Sequence, residues 1–322
     1  MKQSLPLLAL LAGMTSCRTP STVIQSTPTG VIASGPTRSA LTETRFASHQ
    51  SYRGWPGSWL LSNGHVWTAV VPSLGRVMQF GFVNDAGVFW ENPKTLSQPM
   101  TTNPWAITGS FGGDKTWPAP QSAWNWPPPD VFDREAVTAR PVAGGLVLES
   151  GVSPSFGIRT VRRVELLTGE PVMRITTTYH KLQGEPVEVG VWVITQMKNP
   201  TAMYLPIPLQ SQFPNGHSEQ WGIPAKFLSR KGQQLSLIRD PQTSHKIGND
   251  ADSVTWQNAR FTLTIESPRI AGATYPDQGC SMEIYTNGGD TEYIELETLG
   301  PLRRLSVGDT LSATNIYRLG RR

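Results

Sequence analysis

The sequence predicts an all-β protein with few or no long helices, and three observations carry that expectation. No stretch holds apolar residues at helical spacing over several turns. The 322 residues include 30 Gly and 27 Pro, the composition of many strands joined by turns. Several runs alternate with a period of two, most clearly Pro186–Gln196. There Val187, Val189, Val191 and Val193 share one face, read as the sandwich interior, while Trp192, Ile194 and Gln196 share the other. Trp192 and Gln196 stand ~13 Å apart along such a strand, far enough to line a groove.

Each further element follows from local pattern. Trp59–Leu61, His65–Val71, Arg76–Val83 and Gly87–Trp90 are short β-type runs separated by turn signals such as Asn63-Gly64, and predict a meander of hairpins. Gly145–Val152, Gly157–Leu167 and Pro171–Leu182 extend the series as longer strands. From Asn199 to Asp250 repeated prolines predict irregular chain. Strands resume at Arg260–Glu266, Ser281–Thr286, Glu292–Leu299 and Thr310–Leu319. In Tyr293–Leu299, Ile294 and Leu296 face one way while Tyr293, Glu295 and Glu297 face the other. The two carboxylates then stand ~7 Å apart, able to share a polar ligand or to raise one another's pKa if enclosed.

The densest stretch is Ile107–Asp133, ITGSFGGDKTWPAPQSAWNWPPPDVFD, with Trp117, Trp124, Trp126 and five prolines. Proline removes a donor and fixes φ, so the run reads as an ordered loop and not a central strand. Indoles offer a flat face to the C–H side of a sugar ring and an N–H to its hydroxyls, which makes this a candidate binding loop. His217 in FPNGHSEQW and Lys246 in SHKIGND lie in polar segments where ligand contacts collect on a β scaffold.

Composition bounds the function. Lys+Arg 28 against Asp+Glu 24 leaves a formal charge of only +4 with the basic residues scattered, which argues against nucleic-acid binding. There is no paired His, Cys or Asp spacing for a metal, no phosphate-cradling glycine loop and no serine elbow, so no cofactor is expected. Met1–Cys17 carries Lys2, an apolar run from Leu5 to Leu11 and small residues before Cys17, the pattern of a cleaved signal peptide. Met14-Thr15-Ser16-Cys17 resembles a bacterial lipoprotein processing site, with Met14 where leucine is preferred. That implies lipidation of Cys17, a cell-envelope location and, with Arg18 next, the outer membrane facing the periplasm; plain secretion is the alternative. Residues 18–44, rich in Ser, Thr, Pro and Gly, read as a disordered tether.

The C-terminal run YIELETLGPLRRLSVGDTLSATNIYRL resembles the closing hairpin of the aldose 1-epimerase (galactose mutarotase) superfamily. GGDKTWPAP after GVFWENP is similar to a segment of its sugar-phosphate mutarotases. The resemblance covers about Arg45 to Leu319 and is nearest to a domain-of-unknown-function branch. It implies one large antiparallel β-supersandwich over 45–322 with sugar on a concave sheet face. It also implies a glutamate that takes the anomeric proton and a histidine that donates to the ring oxygen. Glu295 falls on that base and Glu297 on a neighbouring polar position. The family histidines do not carry over: Phe111 and Gln196 stand in their places, and neither is an acid at neutral pH.

Three functions follow as expectations. The first is a carbohydrate-binding lipoprotein using Asp114, Lys115, Trp117, Trp124, Trp192, Gln196, Lys246, Glu295 and Glu297, with sugar or oligosaccharide as partner. The second is an epimerase or other sugar-active enzyme with Glu295 as base and Lys115 or His217 as acid. The third is a surface assembly component with the aromatic loop as interface.

Overall fold

The computed structural model describes residues 47–98, 110–124, 126–222 and 226–322, all within the unit Ser34–Arg322. The signal segment to Cys17, the lipidation site, the tether over 18–44 and the start of the tryptophan stretch lie outside the described residues.

The N-terminal meander forms as Ala47–Tyr52 (β1), Trp55–Ser62 (β2), Val66–Val71 (β3) and Arg76–Phe82 (β4), each paired antiparallel with the next. Asn63 closes one turn with its side chain, whose Oδ1 accepts from the His65 and Val66 N–H groups at 3.0 Å each. Gly87–Trp90, expected as a strand, makes only an isolated bridge from Phe89 to Met197. The buried Gln79 amide accounts for this: it accepts from Phe89 N–H at 2.8 Å and donates to Phe89 C=O at 3.1 Å, taking both ladder groups.

The tryptophan stretch departs most from expectation. Asp114–Ala119 (β5) is a strand in the middle of a sheet, Pro118 included. It can be, because β5 is fully paired on one side only and meets β4 at a single position, Val77 opposite Asp114. The Pro118 carbonyl is bonded by Trp124 Nε1 at 2.7 Å and not by a strand, so the donor that proline lacks is one no neighbour needed. A single helical turn, Asp130–Asp133 (α1), follows.

Thr138–Val142 (β6), Gly145–Val152 (β7), Ile158–Leu166 (β8), Val172–Lys181 (β9) and Val187–Lys198 (β10) match the long strands of the sequence. The region expected to be irregular instead holds Ala202–Pro206 (β11), Ser218–Trp221 (β12), Leu228–Lys231 (β13), Gln234–Leu237 (β14) and His245–Asn249 (β15). Pro208, Pro214 and Pro241 lie between these strands and Pro206 ends one, so proline shortens the strands without excluding them. The remainder is Ser253–Gln257 (β16), Phe261–Glu266 (β17), Met282–Thr286 (β18), Tyr293–Leu299 (β19), Arg303–Leu305 (β20) and Thr310–Arg321 (β21).

Two antiparallel sheets result. One runs β1-β2-β3-β4-β5-β10-β19-β18-β15-β12, with β20 also on β10; the other runs β13-β14-β11-β16-β17-β21-β9-β8-β7-β6. Apolar residues of both fill the space between. Ile247, Ile284, Ile294 and Leu296 of the first sheet meet Ile175, Leu263, Ile265 and Tyr317 of the second. Val189, Val191 and Val193 pack with Phe156, Ile158 and Tyr179, which makes the valine face of β10 interior as the alternation required. A buried ion pair sits inside as well. Asp114 accepts from Arg162, from Thr195 Oγ1 at 2.7 Å and from Tyr317 OH at 2.6 Å, so its burial is compensated.

The Gly112-Gly113 pair sets where β5 enters. Gly112 has φ +97, and a Cβ there would lie 2.2 Å from the Trp90 carbonyl oxygen. Gly112→Ala is expected to lower stability by at least about 1–3 kcal/mol, read as a shifted urea midpoint, because positive φ and a backbone clash coincide.

Candidate functional site

The outer face of the first sheet carries the chemistry, and strand register assembles it. Gln196, Glu295, Tyr285, Lys246 and Trp221 lie directly opposite one another across β10, β19, β18, β15 and β12. A second row one step along runs Lys115, Ile194, Glu297, Glu283 and Gly248. Residues two apart share a face, so both rows point away from the interior. Above them is a cleft of ≈ 650 Å³ to which Lys115, Trp117, Trp192, Gln196, Lys246, Glu295 and Glu297 all contribute.

Aromatic rings wall the cleft on two sides. On one, Trp117 meets Trp124, Trp126 and Trp192 edge-to-face at 5.7, 6.1 and 5.3 Å between ring centroids. On the other, Trp90 stacks on Tyr293 at 4.6 Å, and Tyr293, Tyr285 and Trp221 continue the belt. Such edge-to-face and offset contacts fix ring orientation as well as adding apolar area.

The floor is a set of buried charges in two clusters. Asp133 Oδ1, at the end of α1, lies 3.0 Å from Lys115 Nζ, 3.0 Å from Arg76 and 2.9 Å from Trp117 Nε1. Lys115 Nζ also sits 3.8 Å from the centre of the Trp117 ring. Lys246 Nζ lies 2.7 Å from Glu283 and 2.9 Å from Glu297, whose Oε2 accepts from Trp192 Nε1 at 2.7 Å. Glu283 fits beneath because Gly248 opposite it has no Cβ; one would come within 2.8 Å of the Glu283 Cγ. Glu295 Oε1 accepts from Gln196 Nε2 at 2.7 Å, and Ser110 Oγ donates to Gln196 Oε1, which orients the amide.

These environments displace the ionisations. Burial, then the Glu297 carboxylate, pushes Glu295 up to about 7, against the pull of Lys115. Burial likewise raises Glu283, with Lys246 opposing and Glu297 adding to it. Burial and nearby Arg76 lower Lys115 while Asp133 resists. Lys246 moves upward: burial would discharge it, but Glu283 and Glu297 together outweigh that.

A pH dependence of stability follows. A carboxyl whose pKa is higher in the folded than in the unfolded state contributes stability fully present below its unfolded value and lost as pH rises through its folded one. For Glu295 that window runs from the ordinary 4.5 up to about 7. Urea midpoints are expected to fall as pH rises across it, and Glu295→Gln should flatten the fall. A profile that Glu295→Gln leaves unchanged contradicts this assignment.

Of the residues singled out from sequence, Lys115, Trp117, Trp192, Gln196, Lys246, Glu295 and Glu297 come together on this cleft. Trp124 stands behind Trp117 and supports it from outside the lining. Asp114 is placed elsewhere: alternation along β5 sends it into the interior, onto Arg162 and Tyr317. His217 is also placed outside the cleft, its Nδ1 3.3 Å from Asn215 O and its Nε2 3.9 Å from Glu219, because it precedes β12 and turns back on its own loop. Sequence reasoning passed over Trp90, Trp221, Tyr285, Glu283, Arg76 and Asp133. Alternation in Met282–Thr286 would have found Glu283 and Tyr285. Nothing local marks Asp133, whose partners come from β4 and β5.

The sequence matches no protein-family model, and no curated protein matches it. Solved structures do match. A galactose mutarotase-like protein from Lactobacillus casei aligns with 82% of this chain and 100% of its own at TM-score 0.56 and 11% identity. A candidate aldose 1-epimerase from Escherichia coli K12 aligns over 82% and 99% at TM-score 0.53 and 11% identity. A galactose mutarotase related enzyme from Lactobacillus acidophilus aligns over 82% and 97% at TM-score 0.52 and 8% identity. The chain therefore has the galactose mutarotase-like fold, in agreement with the resemblance of its C-terminal run.

Proposed function

We propose that this protein binds a carbohydrate in the cleft, with rings stacked between the two aromatic walls and hydroxyls bonded by Glu295, Glu297, Gln196, Lys115 and Lys246. One observation carries the reading. The outer face of a mutarotase-like sheet joins indole and phenol rings to a row of hydrogen-bonding groups in a concave volume, as recognition of a polyhydroxylated ring requires. Asn92 and Asn287 add neutral amides at its edge. Calorimetry with a panel of mono- and oligosaccharides tests it. Heat accompanied by a change in tryptophan fluorescence, and loss of both in Trp192→Ala, is the expected outcome; silence across the panel overturns the reading.

A second reading is favoured by the opposite displacement of Glu295 and Lys115. A carboxyl raised and an amine lowered are displaced in the directions that paired general acid–base catalysis uses. Glu295 would take the proton of an anomeric hydroxyl and Lys115 give one to the ring oxygen, so that the C–O ring bond breaks and recloses on either face. Polarimetry of freshly dissolved anomers decides: acceleration that Glu295→Gln abolishes supports it, and a wild-type rate equal to the uncatalysed one removes it.

From Met1–Cys17 we further infer an envelope lipoprotein tethered through residues 18–44. Incorporation of labelled fatty acid that Cys17→Ala abolishes supports this, and unlabelled wild type refutes it.

A further inference from the structure

The cleft is larger and wider than one sugar ring needs. Three strands lie between Gln196 on β10 and Trp221 on β12 in direct register, making four spacings or ~19 Å at ~4.8 Å each, and Trp117 on β5 adds one more. That span is several times the width of a pyranose, and ≈ 650 Å³ is several times its volume. The two ends of the cleft are alike. Trp126 at one end is 51% exposed and packs on Trp117; Trp221 at the other is 62% exposed and packs on Tyr285. An indole half in water at each end of an enclosed polar floor, held by a ring that lines the floor, presents a flat apolar face on which a sugar ring can stack.

The charge of the floor limits the ligand further. Both lysines at the centre already carry counter-ions, Lys115 on Asp133 and Lys246 on Glu283 and Glu297, so each offers a ligand its remaining N–H donors and little unbalanced positive charge. The groups lining the cleft that can accept hydrogen bonds include the carboxyls of Glu295 and Glu297 and the neutral amides of Gln196, Asn92 and Asn287. They receive hydroxyl donors, and the Glu297 carboxylate, already shared with Lys246 and Trp192, disfavours a second anion beside it.

We propose that the occupant is an uncharged oligosaccharide of at least two or three rings lying across the strands, with outer rings stacked on Trp126 and Trp221 and a central ring over Glu295. The proposal rests on the carbohydrate reading above and names its substrate class. Calorimetric titration with β-1,4-gluco-, α-1,4-gluco- and N-acetylglucosamine oligomers of one to five units, and with oligogalacturonates, tests it. Affinity in one neutral series is expected to climb with each ring to the third or fourth. Trp221→Ala and Trp126→Ala, both at exposed positions that leave the core intact, should each lose roughly tenfold for the long oligomers and little for the monomer. A monosaccharide bound as tightly as its pentamer, variants that behave as wild type, or preference for the galacturonates overturns this inference while the carbohydrate reading stands. Binding of no series at any length overturns the carbohydrate reading itself.

Discussion

Asp133→Ala is expected to lower stability by about 3–5 kcal/mol, because it strips two buried cations of their shared counter-ion at once. Arg76 and Lys115 are almost wholly buried, both approach Asp133 Oδ1 at 3.0 Å, and Trp117 Nε1 donates to the same atom. Removing the carboxylate leaves like charges facing each other away from water and an indole donor unpaired. Asp85→Ala is the comparison. Asp85 also holds two arginines, Arg260 and Arg321, but those are more than half exposed, and such pairs contribute about 0–1 kcal/mol. Equilibrium urea unfolding of the two variants should differ by several kcal/mol. Equal losses would mean that the charge cluster under Trp117 is not the closed unit described above. Because Asp133 orients Trp117 and Lys115, the proposed carbohydrate binding should also weaken in the variant wherever it remains folded.

Lys246→Met is the second large effect, and its size depends on pH. Lys246 is the cation 2.7 Å from Glu283 and 2.9 Å from Glu297, with Glu295 on the same strand face as Glu297. Without it three carboxyls share an enclosed floor with no central positive charge, and those that can will take up protons. Protonation relieves the repulsion, so the loss should be modest near pH 5 and reach about 3–5 kcal/mol near pH 8, where ionisation is enforced. The sign follows from linkage: the folded variant binds more protons than its unfolded chain, so its stability falls as pH rises. Urea midpoints of wild type and variant at the two pH values check this. A loss independent of pH would show that Lys246 acts through packing on Trp192, whose ring centre is 4.7 Å from its Nζ, and not through charge.

Much of this was legible in the sequence because it is local. Alternation of period two puts Trp192 with Gln196 on one face of Val187–Lys198, and Glu295 with Glu297 on one face of Tyr293–Leu299, without coordinates. What alternation cannot supply is which strands are neighbours. Lys246 joins the site only because β15 follows β18 in the sheet, a pairing of segments tens of residues apart, while Glu283 and Tyr285 enter through the β18–β19 hairpin. Proline misled twice for one reason. Its missing donor matters only where a partner strand wants it, so Pro118 could sit in a central strand against β10 and the prolines between β11 and β15 could act as spacers. Asp114 shows the cost of reading type without phase. A carboxylate beside Lys115 and Trp117 looks like part of their site, yet one step along β5 turns it to the other side of the sheet, where it binds Arg162 and Tyr317.

The central claim is that a carbohydrate occupies the hollow between the Trp117–Trp192 wall and the Tyr285–Tyr293 wall. A crystal structure of the protein soaked with the tightest-binding oligosaccharide tests this most directly. The account predicts ring density over the carboxylates of Glu295 and Glu297, flanked by both aromatic walls; saccharide bound reproducibly on any other face, with this hollow holding only water, would contradict it.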